Sequence, residues 1–123
     1  MPGPAVVVVD DDANVTAGLQ QLLTIWGYNV VAFETFEAAR AFLHEQPPDA
    51  LIVDVRLGSF NGLQLVHIAK RLSPAVRSLV LSGFDDVNLR SEAAQAGATF
   101  LLKPVDVGQL RHWLMGDAAP VGS

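Results

Sequence analysis

Three short apolar runs in this chain each end in charge. Val6 to Val9 leads into Asp10-Asp11-Asp12, Ala50 to Val53 leads into Asp54, and Phe100 to Leu102 leads into Lys103-Pro104. Uninterrupted β-branched and aliphatic runs of this length suit strands covered on both faces, which means a parallel sheet between layers of helices. In an open parallel sheet the carboxyl ends of the strands share one edge, and ligands bind in the crevice outside it. That edge would gather Asp10, Asp11, Asp54 and Lys103 into one pocket. Its chemistry suits a divalent cation and a phosphoryl group.

The rest of the chain supplies the helices. Short β-branched runs alternate with longer amphipathic stretches, as in repeated βα units. Strands are expected near 5–9, 28–33, 49–54, 77–82 and 99–102, numbered β1 to β5, with the more mixed β2 at an edge. Helix α1 should begin just after the acids and end near Trp26, with Val15, Leu19, Leu22, Leu23 and Trp26 facing inward and Gly27 as its stop. Thr35 can cap α2, whose inner face is Phe36, Ala39, Phe42 and Leu43, and Pro47-Pro48 prevents its extension. Helix α3 follows Gly62 with Leu63, Val66 and Ala69 inward, α4 runs from about Asp85 to Ala96, and α5 opens at Asp106 and carries Leu110, Trp113 and Leu114. Residues 5–115 are thus expected to form one domain, with 1–4 and 116–123 as flexible termini or linker.

Composition narrows the function. The 123 residues suit one domain with a real core, and at 50% hydrophobic and 17% charged the chain reads as globular. A net charge of −5 without a Lys/Arg block argues against direct nucleic-acid binding. No cysteine is present, so disulfides, thiolate metal sites and Cys nucleophiles are excluded. The five-residue run Ala5 to Val9 is neither a signal peptide nor a membrane span. His44, His67 and His112 fall in three different helices and read as surface or boundary residues. Trp26 and Trp113 lie on apolar stripes and read as core.

The acids can be sorted by role. One of the three adjacent carboxylates can cap α1, which accounts for Asp12 but not for Asp10 and Asp11. Carboxylates within about 5 Å of each other repel by on the order of 3 kcal/mol per pair at an effective dielectric of 20. A bound Mg²⁺ would offset that repulsion. The turn-rich segment Arg56 to Gly62 would hold Asp54 at the mouth of the sheet, where a carboxylate can attack phosphorus to give an acyl phosphate. Ser82, followed by Gly83, and Lys103 supply the hydroxyl and ammonium that a transferring phosphoryl group needs.

Taken together, VVVVDDD, LIVDVRLGSFNG with its glycine eight positions after the aspartate, LVLSG and FLLKP resemble the receiver domain of two-component response regulators. The resemblance spans about residues 5–115. It implies an α/β, flavodoxin-like, doubly wound (βα)5 fold with a five-stranded parallel sheet of order 2-1-3-4-5 and helices on both faces. It also implies Asp54 as phosphoacceptor, Asp10, Asp11 and Asp54 with the Arg56 backbone carbonyl as Mg²⁺ ligands, and Ser82 and Lys103 as phosphoryl contacts. Lys103-Pro104 is expected to be a cis peptide, and Ser82 with Phe100 to form a switch acting on the α4-β5-α5 face.

Implied partners are a histidine kinase or phosphotransfer protein, an output of unspecified kind, and a second copy through α4-β5-α5. The implied setting is cytoplasmic, and the chain would catalyse its own phosphorylation and dephosphorylation without being a turnover enzyme. It would be either a stand-alone receiver or the receiver part of a longer regulator or hybrid kinase. Gly58 stands where the family usually has proline and is expected to loosen the loop after Asp54; Ser82 replaces the more frequent threonine; Phe100 replaces a frequent tyrosine.

Two other functions compete. A haloacid-dehalogenase-type phosphatase also uses Asp, Ser or Thr, Lys and Mg²⁺, but needs Thr or Val where this chain has Asn14, and a cap domain. A phosphate-independent pseudo-receiver would be a pure interaction module, against which the complete set of site residues argues.

Overall fold

The computed structural model describes residues 3–116; of the termini expected to be flexible, 1–4 and 116–123, residues 1–2 and 117–123 lie outside the described residues. The main sheet has five strands, numbered here without the short hairpin described below: β1 Ala5–Val9, β2 Asn29–Phe33, β3 Ala50–Asp54, β4 Arg77–Ser82 and β5 Thr99–Leu102. All neighbours pair in parallel, in the order β2-β1-β3-β4-β5. This is the flavodoxin-like order, with β2 at an edge as its mixed sequence requires. The central strands carry the purest apolar runs, because they alone have neighbours on both sides and helices on both faces.

Helices α1 Ala13–Ile25 and α5 Val107–Leu114 cover one face; α2 Phe36–Glu45, α3 Leu63–Leu72 and α4 Val87–Gln95 cover the other. Alternation along the strands divides the core accordingly. Val6, Val8, Ile52, Leu79 and Leu81 meet Leu19, Leu23, Leu110 and Trp113, while Val7, Val9, Leu51, Val53 and Val80 meet Ala39, Leu43, Val66 and Ala93. Each such fully buried Val or Leu contributes about 1.5–3 kcal/mol. The α5 stripe is split: Leu110, Trp113 and Leu114 cover the sheet, whereas Val107 is exposed.

The caps explain the helix starts. The side chains of Asp12, Thr35, Asp86 and Asp106 accept from backbone amides of the first turns of α1, α2, α4 and α5. Helix α4 thus begins at Val87, two residues later than expected, because Asp86 takes the cap and Asp85 instead pairs with Arg90 at 2.5 Å. At the margins, the Pro4 carbonyl accepts from Asn29 N–H at 3.0 Å and the Gly116 N–H donates to the Trp113 carbonyl at 3.1 Å. The sheet is anchored to α5 by Arg77 of β4, whose guanidinium stacks on Trp113 at 4.7 Å and donates to the Trp113 and Leu114 carbonyls.

One feature of the topology was not expected. Between β3 and α3 the chain folds back as a hairpin, Arg56–Leu57 against Phe60–Asn61. Its two-residue loop is Gly58-Ser59, with Gly58 at φ +60°. A glycine with positive φ at the first loop position is what a type II′ hairpin turn requires. The expectation that Gly58 loosens this loop is therefore corrected: glycine is the residue that lets the ladder close. No helix of the described residues is long and apolar enough to cross a membrane.

Candidate functional site

Strand register builds the site. Val9 pairs with Val53, so Asp10 and Asp54, each one residue further on, come to lie side by side at the carboxyl edge. Both are buried, at 1% and 7% exposure, whereas Asp11 stands exposed. Carboxylate oxygens of Asp10, Asp11 and Asp54 lie within 4.8 Å of one another. Hard oxygen donors in that proximity suit one divalent cation. Asp12 takes no part: its Oδ1 accepts the Asn14 N–H at 2.9 Å as the cap of α1.

Lys103 reaches this cluster from the end of β5, across the ends of β4 and β3. Its Nζ lies 2.6 Å from Asp10 Oδ2 and 3.4 Å from Asp54 Oδ1. Asp10 is held on its other side too, where Oδ1 accepts the Asp12 N–H at 2.9 Å. The Lys103–Pro104 peptide bond is cis.

The charges act on one another. Burial, then the Asp10 carboxylate, push the Asp54 carboxyl above its ordinary value of 3.8, and Lys103 only partly opposes them. Burial works against the Lys103 ammonium, but its contacts with Asp10 and Asp54 outweigh it and raise its pKa above 10.5. Lys103 therefore stays charged across the physiological range, and Asp54 is a more basic carboxylate than a solvated one.

Ser82 is fully buried at the end of β4. Its hydroxyl donates to the Phe84 carbonyl at 2.9 Å and accepts the Phe84 N–H at 3.0 Å. Among the described residues it is thus committed to the β4–α4 loop and not to Asp54. Arg56 lies two residues past Asp54, at the base of the hairpin, and its guanidinium stacks over the exposed Phe84 ring at 4.7 Å. Phe100 is half-buried against the core of the α2-α3-α4 face, with the Arg90 guanidinium 4.6 Å from its ring centre. The structure so brings Asp10, Asp11, Asp54 and Lys103 into mutual reach, and leaves Ser82 and Phe100 beside the site with other partners. His44, His67 and His112 are exposed and away from the cluster.

Sequence reasoning missed Phe84 as the partner of both Arg56 and Ser82, and missed the hairpin. The Gly-Ser pair between Leu57 and Phe60 was the available hairpin signal.

Comparison with known proteins agrees with this geometry. The family described as the response regulator receiver domain matches residues 6–115. The transcriptional regulatory protein ZraR of Salmonella typhimurium is 36% identical over 110 residues, which cover 89% of this chain and 25% of that protein. The chain thus spans about a quarter of the length of such relatives. The photosynthetic apparatus regulatory protein RegA of Rhodobacter capsulatus is 29% identical, over 94% of this chain and 65% of that one. A response regulator from Burkholderia pseudomallei, solved with a phosphorylated aspartic acid, calcium ion and citrate, is 28% identical with a TM-score of 0.85, covering 94% of this chain and 68% of that one. The beryllofluoride-activated NtrC4 receiver domain dimer is 27% identical with a TM-score of 0.82, over 90% of this chain and 93% of that one.

Proposed function

The chain belongs to the response regulator receiver domain family, and we propose that within it residues 5–115 act as a phosphorylation-controlled switch with Asp54 as phosphoacceptor. The observation that carries this reading is the juxtaposition of a buried Asp54 with Lys103 at 3.4 Å and with the Asp10 and Asp11 carboxylates. A receiver domain is a signalling module. It is proposed to promote its own phosphorylation and dephosphorylation and to release no further product. The neighbour with a phosphorylated aspartic acid and calcium supports an acyl phosphate and a divalent cation; for this chain we assign Mg²⁺.

Asp10, Asp11, Asp54 and the Arg56 carbonyl would hold Mg²⁺, which when bound neutralises charge on the transferring group. An Asp54 carboxylate oxygen attacks the phosphorus of a phosphohistidine carried by a histidine kinase or phosphotransfer protein. The new bond is O–P, the P–N bond breaks, and its electron pair returns to the imidazole nitrogen, which takes up a proton. The Lys103 ammonium pairs with a phosphoryl oxygen as charge moves onto the aspartyl phosphate. In hydrolysis water attacks the same phosphorus, the Asp54 O–P bond breaks, and inorganic phosphate leaves as the carboxylate is restored. The phosphatase alternative needs Asp12 as a second acid, and Asp12 is spent on the α1 cap.

Intact-mass measurement after incubation with acetyl phosphate tests this. One added phosphoryl mass is expected in wild type with Mg²⁺, and none without the metal or in Asp54→Asn. A wild-type chain that stays unmodified at every Mg²⁺ concentration would favour the phosphate-independent module.

The signal is proposed to pass through Ser82. To donate to a phosphoryl oxygen its hydroxyl must give up the Phe84 carbonyl, which frees the 83–84 backbone to rearrange. Phe100 then turns into the vacated space and reshapes the α4-β5-α5 face, where Val87, Leu102 and Val107 are exposed apolar residues available to an output partner or a second copy. With beryllofluoride, amide resonances from Asp54 through α5 should shift in wild type and only those near Asp54 in Phe100→Leu. An equal spread in both would remove Phe100 from the relay. The setting proposed is cytoplasmic, where the kinase would supply its phosphohistidine.

A further inference from the structure

The three carboxylates of the cluster are not held equally. Asp10 is buried and has a partner on each oxygen, and Asp54 is buried beside Lys103. Asp11 is exposed, and its hydrogen-bond partner is the tip of the hairpin: the Gly58 N–H donates to Asp11 Oδ2 at 3.3 Å. That tip is itself fixed. At the base, the Gly62 N–H donates to the Val55 carbonyl at 2.8 Å. Along the arms, Leu57 is buried at 3% exposure, and the Phe60 ring stacks on Phe36 of α2 at 4.5 Å with planes 9° apart. At the turn, Gly58 holds φ +60°. A Cβ there would meet nothing within 4 Å, so glycine is favoured by backbone conformation and not by space.

The geometry points to Gly58 as a positioning residue for the metal: its backbone N–H fixes one oxygen of the exposed Asp11 and leaves the other to the cation. The inference rests on Asp10, Asp11 and Asp54 sharing a cation, as proposed above. A freely rotating carboxylate must be ordered when it binds, and a donor that has already ordered it removes that cost. Outer partners of metal ligands are worth about 10- to 100-fold in affinity. Proline at this position could supply neither the donor nor the positive φ. The hairpin following the phosphoacceptor is thus a rigid arm that reaches back to the metal-binding acids of β1.

Two measurements on the whole chain test this. Calorimetric Mg²⁺ titration compares wild type with Gly58→Asn, which keeps the N–H and tolerates positive φ, and with Gly58→Pro, which loses both. Gly58→Asn should bind within about threefold of wild type and Gly58→Pro about tenfold more weakly. In metal-free amide spectra, Asp11→Ala, which removes the acceptor, should displace the Gly58 resonance more than that of Ser59. If Gly58→Pro does not fold, these spectra decide, and an unmoved Gly58 resonance overturns the inference. Wild-type affinity in a folded Gly58→Pro also overturns it while leaving the phosphoryl site intact. A wild-type chain that binds no Mg²⁺ overturns both.

Discussion

Asp54→Asn is expected to melt at a higher temperature than wild type at neutral pH without metal, although it should abolish phosphoryl uptake. The cause is the cluster itself. Burial and then Asp10 raise the Asp54 carboxyl above 3.8, so the folded chain holds this proton more tightly than the unfolded chain does. Stability from that protonation is complete below 3.8 and is lost as pH rises through the folded value, so the ionised form carries a net cost at neutral pH. Asparagine removes the cost and leaves Lys103 paired with Asp10 at 2.6 Å.

The stability gap between the two proteins should therefore open as pH rises above 3.8 and level off once pH has passed the folded value of Asp54. Saturating Mg²⁺ should narrow it, because a cation bound to the folded state adds about 2.7 kcal/mol at a hundred times its Kd, and only wild type keeps all three carboxylates. Thermal melts at several pH values with and without Mg²⁺ measure this. A wild type as stable as Asp54→Asn at neutral pH would mean that Lys103 fully compensates the cluster.

Much of this site was legible because strand ends announce themselves. Charge after an uninterrupted apolar run marks the carboxyl edge of the sheet, and parallel register then brings Asp10 and Asp54 together without further information. The caps at Thr35 and Asp106 were legible for a similar reason, since a short polar side chain before an amphipathic stretch has few other uses. The two-residue strands of the hairpin were not, because no periodicity can be read from Arg56–Leu57 and Phe60–Asn61. Gly58 was misread because the same residue that frees an open loop also permits the one turn that closes a tight one. The hydroxyl of Ser82 could be placed at the edge, but its bond to Phe84 depends on the path of the β4–α4 loop, which no pattern in residues 82–86 encodes.

Gly62→Ala should be a strongly damaging small substitution at the site. Its φ is an ordinary −58°, so conformation does not demand glycine there. Space does: a Cβ would fall 2.1 Å from the Asp54 carbonyl oxygen and 2.8 Å from Val53 Cγ2. The obstructing atoms belong largely to the backbone of β3, which is paired on both sides, so relief requires moving Asp54, the proposed phosphoacceptor, or the start of α3. A cost of about 3 kcal/mol or more is expected, and phosphoryl uptake should slow in whatever fraction folds, since Asp54 is what must yield. Gly83→Ala is the control: a Cβ there meets nothing within 4 Å, and stability should change by less than about 1 kcal/mol. Urea denaturation of the two variants separates the readings. Equal midpoints would mean that β3 can shift at little cost, and the glycine eight positions after the aspartate would need an explanation other than close approach. A large loss confined to Gly62→Ala would show that this glycine is selected by the carbonyl of Asp54, the proposed phosphoacceptor, which ties the hairpin, α3 and the end of β3 into one unit.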